Sequence, residues 1–388
     1  MYKYIKLTVL LVSAFIIGGL IPVQSVSAQP LQPEQTTLEQ MTTTSEFVKS
    51  SLSPVKAKTI VLDPGHCKKH RGASYAGFRE EKIVLDIAKA CKKELDQYGD
   101  INVYMTRTSN ACPKNIAPGD CLTARNNYAK LLSSDFLISL HINAKADSSA
   151  KTLMPYKSGA NVLVPYKSGY HNTVRNKSRK FGSTVLSELQ GIGIKSRGFL
   201  LRKTKLYRYK NGKRADYYSI VRNGVKLNIP SVIIEHGYID NESDRNKYFL
   251  TKSQRETVAT ADAKAIISYY NLTAQTISGT FSKIGNDTYY VTNTSQKVTG
   301  WVKSDGKWYY FDEITGKIKK GFITIDKNTF YLNPSTGEMT VGWFKVKGST
   351  YLSRGNGTLV KNQKYSDGYY TYHFNKNGKR LKKVSRTQ

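Results

Sequence analysis

The sequence predicts an α/β domain, a twisted mixed sheet with helices on both faces, followed by a β-hairpin solenoid. Apolar strand-like runs alternate with helical periodicity from Lys58 to Leu272, and three of those runs stop abruptly in His, His and Glu. Beyond Leu272, glycines 279, 300, 321 and 342 recur every 21 residues, each closely followed by an aromatic.

Thr59 to Leu62 reads as a buried strand that Asp63, Pro64 and Gly65 terminate, delivering His66 just past its end. A helix opens at Glu80, with Ile83, Ile87, Cys91 and Leu95 on its buried face and Glu81 in the first turn, where the helix dipole favours a carboxylate. Ile101–Thr106 is a strand that ends at Arg107, and Leu122–Leu132 is a helix. The next strand runs from Asp135 through His141 to Asn143. Lys145–Ser158 is a polar insertion, Ala160–Pro165 a strand and Ser178–Leu189 a helix. Lys203–Arg214, basic with two tyrosines, reads either as a lip over a groove or as an exposed hairpin. Ser231–Gly237 is a strand carrying Glu235 and His236, and Glu256–Tyr270 is the closing helix.

Strand ends bearing His66, His141 and Glu235 can converge on one point, with Glu81 as a further ligand. Two imidazoles and a carboxylate that leave one position open make the composition of a catalytic zinc site, and the remaining glutamate is free to act as base.

The ordered segments Leu62–His66, Glu81-Lys82, Thr106-Arg107, Ser139–Asn143 and Glu235–Asn241 resemble the zinc-dependent N-acetylmuramoyl-L-alanine amidases of the third amidase class. That resemblance implies Zn2+ held by His66, Glu81 and His141, with Glu235 as general base and Asn143 and Arg107 as supports. The family pattern singles out Glu81 over Glu80. His236 is the rival ligand, on the other strand face from Glu235.

Lys+Arg 60 against Asp+Glu 28 gives a net charge of +32, which favours a polyanionic partner. Lys3 and Lys6, the apolar run Leu7–Val23 and Val26-Ser27-Ala28 form the pattern of a secretory signal peptide, 1–28. Export leaves the cell envelope rather than nucleic acid as the setting, and no later segment approaches the length of a membrane span. Residues 29–57, polar and Pro-containing, read as a flexible linker or propeptide. Cys112 and Cys121 flank a loop containing Pro and Gly and are the expected disulfide, which would stabilise by about 2–3 kcal/mol. For Cys67 three outcomes stay open: pairing with Cys91, a thiol, or competition for metal.

The expected catalytic domain is 58–275 and the repeat domain 276–388. Each 21-residue unit is a hairpin too small to bury its own face, so stacking is required. The units resemble the cell-wall-binding repeats of choline-binding and glucan-binding proteins. This resemblance implies wall contacts from Trp301, Trp308, Tyr310, Phe322 and Trp343. Peptidoglycan and an anionic or glycan wall polymer, choline-bearing or not, are the expected partners. The expected whole is a secreted, wall-associated peptidoglycan hydrolase. Its rivals are a non-catalytic wall adhesin and a zinc peptidase acting on the stem peptide.

Overall fold

A computed structural model describes residues 46–144 and 157–385. The expected signal peptide, much of the 29–57 segment and most of the 145–158 insertion lie outside the described residues. The first strand, β1 (Phe47–Lys49), falls inside the expected linker and corrects it. It is ordered because it pairs in parallel with a repeat strand, Phe47 opposite Lys297.

The α/β part comprises β2 (Lys58–Pro64), α1 (Glu80–Leu95), β3 (Ile101–Met105), α2 (Cys121–Leu131), β4 (Phe136–Asn143), β5 (Ala160–Leu163), α3 (Asn172–Gly191), β6 (Ser196–Leu200), α4 (Ser219–Leu227), β7 (Ser231–Tyr238) and α5 (Lys252–Tyr270). The sheet order is β3-β2-β4-β7-β5-β6, and it is mixed because β5 runs antiparallel to β7. Its central strands are apolar on both sides because both faces are covered. Alternation along β2 sends Ile60 and Leu62 to the face packed by α1, α3 and α5, and Val61 to the face packed by α2 and α4.

The second face is completed by the repeats, whose Leu352, Val360, Tyr372 and Phe374 enter the same cluster as Val61, Leu131 and Ile220. Four antiparallel hairpins, starting at Gly279, Lys297, Gly321 and Gly342, precede a three-stranded unit, 364–385. Aromatic rings from neighbouring hairpins form nests, and successive nests face alternately away from and toward the α/β part. Phe281 and Tyr309 make an outward one, their centroids 4.8 Å apart, backed by the buried Tyr290 at 5.3 Å from Phe281. Trp301, Trp308, Tyr310 and Phe330 make an inward one. Phe322, Tyr331, Phe344 and Tyr351 are outward, whereas Trp343, Tyr372 and Phe374 pack inward.

Polar contacts fasten the inward side. Trp308 Nε1 donates to Asn102 Oδ1 at 2.7 Å, and Lys303 Nζ donates to the Tyr98 and Ile101 carbonyls at 2.8 and 2.7 Å. Tyr104 donates to the Gly355 carbonyl at 2.5 Å. Among the described residues no helix is long and apolar enough to cross a membrane.

Candidate active site

The parallel pairing of β4 with β7 sets Glu235 directly beside His141, and the pairing of β2 with β4 brings the Pro64–His66 turn to the same edge. The turn is held from beneath. Asp63 accepts from Ser139 Oγ at 2.6 Å and Thr106 Oγ1 at 2.5 Å and pairs with Arg125. Burial opposes charge on Asp63, but Arg125 and the two hydroxyls outweigh it and keep the carboxyl below its usual range.

Arg107, expected as a support, bonds the same turn. Its Nε donates to the Pro64 carbonyl at 2.9 Å, and its Nη2 donates to those of Gly65 and Glu81 at 2.8 and 2.7 Å. Burial brings its pKa down to about 10, with Arg125 adding to the effect. Asn143 closes β4, where its carbonyl accepts from Ile239 N at 2.8 Å.

The carboxylate brought to the histidines is Glu80, not the expected Glu81. Glu80 Oε2 lies 3.2 Å from His66 Nε2, and Glu80 Oε1 lies 2.9 Å from His141 Nδ1. Backbone amides fix it further, Ala73 N donating at 2.8 Å and Ile142 N at 3.0 Å. Burial alone would raise its pKa, but the hydrogen bonds and charges of His141 and His66 hold it far below the carboxylate range. Glu81 is fully buried and pairs with Arg79 instead. One residue along a helix is a rotation of about 100°, so the two glutamates cannot face the same point.

Two glycines make the room. A Cβ on Gly65 would meet the His141 ring at 2.4 Å. A Cβ on Gly72, at φ +72°, would meet Glu80 Oε2 at 2.4 Å and His66 at 2.5 Å. The donor set fits a metal: one atom each from His66, Glu80 and His141 lies within 4.8 Å of the others, and two imidazoles with one carboxylate suit zinc.

Glu235 contributes a buried oxygen, Oε2, that has no hydrogen-bond partner among the described residues. Burial pushes its pKa well up, and the neighbouring Glu80 adds to the rise. His236 points to the other face, as alternation requires. Its Nδ1 is 2.9 Å from the His141 carbonyl and its Nε2 2.9 Å from Asp262. Burial disfavours charge on it, yet Asp262 prevails and raises its pKa.

A cavity of about 520 Å³ opens beside this set, lined by Asp63, His66, His70, Arg125, His141 and Ile220 among others. The basic segment Lys203–Arg214 forms a hairpin with Asp216 and does not line that cavity.

Two further expectations change. The structure joins none of the four cysteines in a disulfide, so the Cys112–Cys121 bridge is not formed. Both thiols cluster with Cys67 and His70, while Cys91 is on the buried face of α1 in the core. Of the five aromatics assigned to wall contact, Trp301, Trp308 and Tyr310 are buried and Trp343 packs inward. Only Phe322 is open, at 43% exposure. Sequence reasoning missed its neighbours Tyr331, Phe344 and Tyr351, and it also missed Arg125. For the three aromatics the signal was the alternation of side-chain faces along each hairpin strand.

Comparisons with known proteins find relatives for both parts of the chain. The family model described as N-acetylmuramoyl-L-alanine amidase matches residues 60–268. A choline-binding repeat matches 277–320, and a cell wall binding repeat matches 320–339. The chain is 25% identical over 224 residues to the sporulation-specific N-acetylmuramoyl-L-alanine amidase of Bacillus subtilis (strain 168), covering 57% of this chain and 72% of that one. It is 26% identical over 220 residues to the N-acetylmuramoyl-L-alanine amidase LytC of the same organism, covering 56% of this chain but only 36% of that protein. Cwp6 from Clostridium difficile is similar at 26% identity, over 55% of this chain and 30% of that one, with a TM-score of 0.43. The chain belongs to the N-acetylmuramoyl-L-alanine amidase family and carries cell-wall-binding repeats at its C-terminal side.

Proposed function

We infer that the protein is an exported, wall-associated enzyme that hydrolyses the amide between N-acetylmuramic acid and L-alanine in peptidoglycan, with Zn2+ held by His66, Glu80 and His141. The observation that carries this reading is the Glu80 carboxylate caught between His66 Nε2 and His141 Nδ1 at the strand ends. Zinc would supply Lewis acidity, polarising the scissile carbonyl and acidifying a water. Glu235, beside His141 and made more basic by burial, is suited, as the carboxylate, to accept the proton of the attacking water at Oε2 and return it to the departing amine. Arg107 and Arg125 keep the Pro64–His66 backbone fixed, so His66 meets the ion without reorganisation.

The outward nests give the repeats a binding role. Phe322, Tyr331, Phe344 and Tyr351 present ring faces suited to a sugar or, through cation–π attraction, to a quaternary ammonium such as choline. Elution from intact walls by free choline supports the second ligand, and elution by salt alone supports an anionic polymer.

Digestion of purified peptidoglycan followed by identification of the new ends tests the catalytic reading. A new L-alanine amine with intact muramic acid is expected. New amines elsewhere in the stem would make the protein a peptidase, and no release at all would make it an adhesin.

A further inference from the structure

A second cluster of ligating side chains stands apart from the His66, Glu80, His141 set. Cys67, His70, Cys112 and Cys121 each offer one atom, and all four atoms lie within 4.8 Å of one another. Cys67 Sγ is 3.4 Å from His70 Nδ1. Ion–sulfur bonds of about 2.3 Å in a tetrahedron set ligands about 3.8 Å apart, so small side-chain rotations would close the four around an ion. We propose that these residues form a second metal site, a Cys3His tetrahedron for Zn2+ or a similarly thiophilic divalent cation, which fixes the loop carrying His66.

Three separate pieces of backbone meet there. Cys67-Lys68-Lys69-His70 is a tight turn closed by reciprocal backbone hydrogen bonds, Cys67 N to His70 O and His70 N to Cys67 O, each 3.0 Å. Cys112 precedes the short helical turn Pro113–Asn115. Cys121 is the first residue of α2, which Asp120 caps, and so stands at the positive end of that helix. With all four positions taken by protein side chains the site is closed, which suits a structural ion rather than a catalytic one.

The charge balance also fits. Three thiolates around a divalent cation leave one negative charge, and Arg125 Nη2 stands 3.7 Å from Cys121 Sγ. The same guanidinium donates to the His66 carbonyl at 2.6 Å and to that of Pro64 at 2.9 Å. His66, held at φ 61°, would therefore be fixed on one flank by Arg125 and on the other by the ion-bound Cys67. A disulfide between Cys112 and Cys121 would account for two of these four residues and leave the approach of Cys67 and His70 without a reason.

The test uses the full chain, purified under reducing conditions, with metal content measured by elemental analysis. Two zinc per chain are expected, falling to one in Cys112→Ser and, separately, to one in Glu80→Ala. Exchange into Co2+ should give a thiolate-to-metal charge-transfer band in the wild type and in Glu80→Ala, and none in Cys112→Ser. Cys67 is fully buried and its replacement can unfold the chain, so the loop variant and the wild-type cobalt spectrum carry the test. A wild-type cobalt protein lacking the band would overturn the proposal. So would one zinc per chain together with two of the four thiols missing from a titration of unreduced protein, which would assign a disulfide instead. A wild type holding a single zinc that Glu80→Ala keeps and Cys112→Ser loses would count against the catalytic reading and leave this one standing.

Discussion

The α/β part and the hairpin array bury apolar side chains on different terms. The sheet is covered by helices on one face entirely from within, by Ile83, Val84, Ile87, Phe181 and Val185 among others. The array has no such layer of its own. Its inward nests are covered by the α/β surface, and its outward nests stay open. The same 21-residue pattern therefore yields two kinds of aromatic, one that fastens the array and one left open. Position within the unit does not decide which; the side of the array does.

The largest effect expected concerns the catalytic end of this contrast. Glu235→Gln should lower turnover by about 10²–10⁴-fold while the Glu80-dependent zinc stays bound, because the amide cannot accept a proton. Glu80→Gln should lose that zinc, and Glu81→Gln should retain it. Equal metal loss in the two first-turn variants would erase the distinction drawn between them.

Within the array, Trp301→Ala should destabilise by about 3–5 kcal/mol in denaturant unfolding, as expected for a buried aromatic. Removing everything after Leu272 should be worse, uncovering Leu131, Val61 and their neighbours and giving an α/β part that aggregates or melts earlier than the full chain.

Lys303 provides a pH handle on the same junction. Burial brings its pKa down to about 8, against the pull of Asp96. Between about pH 8 and the ordinary lysine value the unfolded chain holds more protons, so stability rises with pH across that window. The wild type should gain on the order of 3 kcal/mol relative to Lys303→Met there, and nothing below it. A flat difference would mean that the lysine is not buried between Tyr98 and Ile101.

The smallest stability effect belongs to the outward side. Phe322→Ala should cost under about 1 kcal/mol, in the range of an exposed substitution, yet reduce retention on intact walls. Strong destabilisation would make the outward nest structural as well.

Much of this was legible in the sequence. His66, His141 and Glu235 were readable because apolar strands that stop at polar residues place those residues at a sheet edge. The α/β alternation and the hairpins followed from period, whereas the antiparallel β5 that makes the sheet mixed is not a matter of period and came with the family resemblance. Glu80 was not, since both glutamates satisfy the first-turn preference, and only the approach of Ala73 N and Ile142 N selects between them. The inward burial of Trp301 and Trp308 was hidden for a different reason. Hairpin periodicity describes the array, whereas Asn102 and Leu52, which meet these rings, lie some 200 residues earlier.

The pairing of β1 with the strand Lys297–Ser304 carries a consequence for how the molecule is made. Phe47 finds Lys297 250 positions later, so this contact cannot form until about three quarters of the chain has emerged. Bridging such a separation costs loop-closure entropy that no local contact offsets, and contacts of this span are slow to form. The α/β sheet can assemble first, with its second face covered only by α2 and α4. The arriving hairpins then cover that face and capture β1 in the same event, making completion of the fold a check that the repeats are present.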